Sequence, residues 1–114
     1  MEKLFEKIKE YVGMDTEISA TEFMEYHKKV IDKLVADFDK LTEEELFQAK
    51  TITSIMAANA ATRGKRRDAD AKKFKKMNEK SKFWADAIEF RLKKSGLSEE
   101  EIASRSSAIE EGMK

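Results

Sequence analysis

The chain has no cysteine, no proline, only four glycines and a single histidine in 114 residues. Without cysteine there is no disulfide scaffold, no thiol nucleophile and no thiolate metal site. Without proline, and with glycine only at 13, 64, 96 and 112, a turn-dense all-β fold lacks its punctuation. No run approaches the roughly 18–20 apolar residues that a membrane-crossing helix requires. The opening segment MEKLFEKIKEY mixes acids with bases and has no continuous apolar stretch, which does not fit a secretory signal. The expectation is a cytoplasmic protein folded as a single helical domain over residues 1–114.

Charge is abundant but balanced, with 23 basic and 23 acidic side chains and a formal net charge of zero. The balance is local nowhere. Residues 63–82 carry ten basic groups against three acidic ones, opening on Arg63-Gly64-Lys65-Arg66-Arg67. Residues 1–62 carry eight basic against thirteen acidic groups, and residues 96–114 two against five. Such segregation predicts a dipolar molecule with one cationic end.

Three capping boxes mark helix starts: Ser19-x-x-Glu22, Thr42-x-x-Glu45 and Ser98-x-x-Glu101. In each, hydroxyl and carboxylate are placed to satisfy one another's orphan backbone N–H groups. Gly13 and Gly96 stand where left-handed caps end helices. The predicted architecture is all-α, a small bundle of three main helices (about 20–40, 43–62 and 69–94) with short flanking N- and C-terminal helices. The apolar stripe Phe23, His27, Val30, Ile31, Leu34, Phe38, Leu41 sets the face of the first main helix. A single rod over 43–95 would reach roughly 80 Å at 1.5 Å per residue. A break between Arg63 and Asp68 is therefore expected, with Asp68 as the new N-cap. The uncharged, small-residue run Thr51–Thr62 predicts a central helix buried on more than one side. Asn59 within it would need hydrogen-bond partners if buried.

The helix after the break is apolar on two faces. Phe74, Met77, Trp84, Ile88 and Leu92 form one stripe, while Phe83, Ala87 and Phe90 fall on roughly the opposite side. The second face needs cover from the short terminal helices or from another molecule.

No catalytic constellation, cofactor motif or metal-ligand spacing stands out. The lone His27 falls inside an apolar arc and reads as a core or boundary residue. A helix-turn-helix around residues 43–80 has only weak support. Glu22 and Glu25 with Asp86 and Glu89 would converge on a divalent cation if their helices packed antiparallel; ordinary surface ion pairs are the simpler reading.

The expectation is thus a non-enzymatic binding protein. Its first candidate partner is the backbone of DNA or RNA, alone or in a nucleic-acid-handling complex. The contacts would come from Arg63, Lys65, Arg66 and Arg67 at the break, extended by Lys72, Lys73 and Lys76. The alternative is a protein–protein interaction module (homodimer, adaptor or inhibitor) using Phe83, Ala87 and Phe90. No membrane partner is expected, and no small-molecule substrate is identified.

Overall fold

The computed structural model describes residues 1–113, which form five α-helices and no strand. These are α1 (Glu2–Val12), α2 (Ala20–Asp37), α3 (Glu43–Gly64), α4 (Ala71–Lys94) and α5 (Glu99–Glu111), with a 3-10 turn at Phe38–Lys40. No described helix is long and apolar enough to cross a membrane.

Local chemistry explains most of the helix ends. Thr42 and Ser98 form complete reciprocal boxes with Glu45 and Glu101. Ser19 accepts from the Glu22 N–H at 3.1 Å, but the Glu22 carboxylate does not return to it. That carboxylate instead accepts from the Tyr11 hydroxyl of α1 at 2.9 Å, so half a cap is exchanged for a bond between helices. Gly96 has φ +107, in the left-handed region that glycine enters without steric penalty. Gly13 departs from expectation, ending α1 at φ −79 in the right-handed region.

The break between α3 and α4 is present but displaced. α3 runs on through Arg63 and Gly64, and the non-helical segment covers residues 65–70. Asp70, not Asp68, occupies the N-cap of α4 without a side-chain cap bond. Asp68 accepts from the Asp70 N–H at 2.9 Å and so stabilises the turn before the helix.

α3 and α4 pack as an antiparallel pair along their whole length. Lys75 lies beside Gly64, the Asn78 amide donates to the Ala57 carbonyl at 2.6 Å, and Arg91 reaches the Leu41 carbonyl at 2.9 Å. A Cβ on Gly64 would stand 3.1 Å from Lys75 Cγ, so the missing side chain permits this close approach. A DNA-binding helix-turn-helix has helices crossing near 90–120°. The lengthwise pairing here is not that motif.

α2 runs parallel to α4. Phe23 meets Phe74 edge-on at 5.9 Å where both helices begin, and Phe38, just past the end of α2, meets Trp84 at 5.4 Å farther along α4. α1 is tied to α2 by the Tyr26 hydroxyl, which donates to the Leu4 carbonyl at 2.6 Å. α5 leans on α3, where Arg105 stacks 3.9 Å over the Phe47 ring and pairs with Glu43. Between these layers Val30, Leu34, Ile52, Ile88, Leu92 and Ile102 are fully buried. Each such side chain contributes about 1.5–3 kcal/mol of apolar burial.

α3 is central, as its composition predicts. Its buried residues include Phe47, Ile52, Met56, Ala57 and Ala60, on several sides of the helix. Buried Thr51 and Thr53 satisfy their hydroxyls by donating to Phe47 and Ala49 carbonyls at 3.1 and 2.9 Å. Asn59 is exposed and merely donates to the Ile55 carbonyl.

Candidate functional site

The cationic segment divides into three environments. Arg63, expected at a nucleic-acid surface, is only 4% exposed. Its guanidinium lies over the Phe23 and Phe74 rings at 4.7 and 5.5 Å, and Nη2 donates to the Ile18 carbonyl at 2.7 Å. A buried arginine held this way cannot meet a polyanion backbone at the protein surface. This corrects its assignment. Arg66 makes two bonds to the Glu17 carboxylate, at 2.5 and 3.0 Å. That guanidinium holds the Glu17 carboxyl below the usual carboxylate range, and Glu17 in turn raises the Arg66 value.

The third group remains in solvent. Lys65, Arg67, Lys72, Lys73 and Lys76 are all exposed. Lys73 stands 3.9 Å from Asp70, while the other four have no ion pair among the described residues. At 100° per residue, Lys72 and Lys76 lie on the outer side of α4, opposite the buried Phe74, Met77, Ser81 and Ile88. Of the seven residues expected to contact nucleic acid, Arg63 is buried and Arg66 paired, which leaves five exposed cations around the start of α4.

Farther along that outer side, the second apolar face is open. Phe83 is 65% and Phe90 64% exposed, with Ala87 half-buried between them. α1 and α5, the intramolecular candidates to cover it, pack mainly on α3 instead. Phe83 touches the edge of Trp84 at 5.5 Å, and Trp84 continues inward to Phe38. Lys94 lies over the Phe90 ring at 5.7 Å.

The four carboxylates considered for a divalent cation do not assemble. Among the described residues no three acidic or histidine side chains are grouped to hold a metal. The cause is direction: α2 runs parallel to α4, so Glu22 and Glu25 lie level with its beginning and Asp86 and Glu89 lie toward its end. His27 is buried, as its place in the apolar arc implies, and its Nε2 has no hydrogen-bond partner among the described residues. Burial, and then the charge of Lys80, push its pKa below the ordinary value; the Met77 carbonyl acts the other way. Such a histidine is held neutral inside the bundle.

One feature of the structure has no signal in sequence periodicity. A cavity of about 370 Å³ opens between α1, the 13–19 connection, α2 and α3. Ile8, Phe23, Tyr26, Ile55 and Met56 supply apolar wall, and Arg63 also lines it. Tyr11, on the same wall, has its phenol pushed up to about 12 by burial and by its bond to Glu22. These residues are scattered over four segments and share no spacing.

No protein-family model, curated protein or solved structure matches this chain. Its own surfaces carry the functional reading.

Proposed function

We propose that the protein is a non-enzymatic interaction module that associates with a second copy of itself through the outer face of α4. The observation that carries this reading is the pair Phe83 and Phe90, each about two-thirds exposed on either side of Ala87. Leaving two aromatic rings in water forfeits burial that any apolar partner would recover.

Charge supports a second copy as that partner. An antiparallel α4 pairing about a two-fold axis between Asp86 and Ala87 sets Phe83 against Phe90 of the second copy. The same operation sets Glu79 against Lys94 of the second copy, twice by symmetry. Neither Glu79 nor Lys94 has an ion-pair partner among the described residues. Four phenylalanines, at about 150–250 Å² each when fully buried, cannot alone reach the roughly 1,200 Å² of a standard interface. The dimer is therefore weak and reversible. Sedimentation equilibrium across a wide concentration range should show a mass rising toward twice the monomer. The Phe83→Glu, Phe90→Glu protein should stay monomeric with an unchanged helical signal. A wild type that remains monomeric at the highest concentrations refutes the reading.

A second reading rests on a separate observation, the free cations Lys65, Arg67, Lys72 and Lys76. They suit the backbone of DNA or RNA without base specificity. Neutralising four phosphates on a duplex gives a slope of about −3.6 in log affinity against log salt. Fluorescence anisotropy with single- and double-stranded probes at several salt concentrations measures it. Affinity unaltered by Lys65→Glu with Arg67→Glu would remove this reading. The two readings are compatible, since dimerisation doubles the cationic surface.

A further inference from the structure

The environment of Arg63 is incomplete. A buried guanidinium normally spends its five N–H groups on acceptors. Here one hydrogen bond is made, from Nη2 to the Ile18 carbonyl, and the buried Nε has no acceptor among the described residues. The nearest carboxylate, Glu17, stands 3.6 Å from Nη2 and is already bonded twice to Arg66. This under-coordinated cation lines the 370 Å³ cavity, whose volume falls within the range of small-molecule sites.

We infer that this cavity is a binding site for a small organic monocarboxylate with an apolar body, whose carboxylate is received by Arg63. The site is separate from the outer face of α4. Ile8, Phe23, Tyr26, Ile55 and Met56 supply the apolar wall that accepts a hydrocarbon or aromatic body. A neutral ligand can accept from the unspent N–H groups of Arg63 but does not compensate its charge. A doubly charged phosphate meets Asp15 and Glu17, which also line the cavity, and gains no second cation beyond Arg63 within it. A single negative charge at the end of an apolar body satisfies both the cation and the wall. Charge-assisted bonding of a carboxylate to a buried guanidinium is the strong form of the interaction.

The test is a two-dimensional amide NMR titration with 4-phenylbutyrate, and in parallel with its neutral analogue 4-phenylbutanamide. The acid should bind in the millimolar to high-micromolar range expected of a compound this size. It should move the amide signals of Ile8, Tyr26, Ile55 and Met56, and bind about tenfold or more tighter than the amide. Asn59, exposed on α3 at the edge of the cavity, provides a variant that leaves Arg63 untouched. Asn59→Trp should obstruct the opening and abolish the shifts while keeping the dispersed spectrum of the folded protein. Equal affinity for acid and amide overturns the inference. So does the absence of shifts with either compound, shifts confined to Phe83 and Phe90, or shifts that survive in Asn59→Trp.

Discussion

Replacing Arg63 by methionine separates a structural cation from a surface one. The substitution keeps a long apolar stem between Phe23 and Phe74 but deletes the charge. It loses the bond to the Ile18 carbonyl, about 1.5–3 kcal/mol for a charged donor. It also loses two cation–π contacts, at 4.7 and 5.5 Å, of about 0.5–2 kcal/mol each. Two gains oppose this. The orphan Nε disappears, relieving about 1–3 kcal/mol, and the thioether recovers about 0.3–1.5 kcal/mol against the rings. Central values leave a net loss of about 2 kcal/mol, which lowers a urea midpoint by roughly 1 M for a small domain. Arg66→Met is the control. Its partner Glu17 and its own side chain are about half exposed, and solvent screening should leave the midpoint where it was. Urea unfolding followed by circular dichroism measures both. A midpoint for Arg63→Met that equals or exceeds the wild type refutes the reasoning, because burial of the charge then costs more than its contacts return.

Ser81 sits fully buried in α4 with its hydroxyl unpartnered among the described residues. Ser81→Ala should raise stability by about 1 kcal/mol, through relief of desolvation and better helix propensity; a lower urea midpoint would show a missed partner. His27 supplies a pH signature. Its folded-state pKa is depressed, so below the unfolded value near 6.5 the unfolded chain binds the extra proton. The histidine's contribution is fully present above that value and falls as pH drops toward the folded pKa. In His27→Gln the slope of stability just below about pH 6.5 should flatten; an unchanged slope would assign it to other groups.

What the chain declares about itself is local. Thr42 with Glu45 and Ser98 with Glu101 close their caps because all the atoms involved lie within one turn. The small, uncharged stretch from Thr51 to Thr62 announces a helix that others pack around, and α3 is that helix. The left-handed glycine at 96 is likewise a property of its own turn. The same periodicity places Phe83 and Phe90 away from the core stripe of α4, but not whether anything covers them.

Coverage, direction and distant partners belong to the tertiary structure. Arg63 looks like the first residue of a basic run until Ile18, 45 positions earlier in the chain, presents its carbonyl and two phenylalanine rings enclose the guanidinium. Arg66 loses its free charge to Glu17 by an equally remote contact. Glu22 leaves its capping box because α1 brings Tyr11 within reach. The carboxylates of α2 and α4 stay apart because those helices run parallel. The cavity exists only where α1, the 13–19 connection, α2 and α3 meet. Spacing along one helix reports the azimuth of a side chain, and that is enough to define a face. Which other segment arrives at that face depends on the path of the chain through space, and neither composition nor period encodes it in a form that can be read locally.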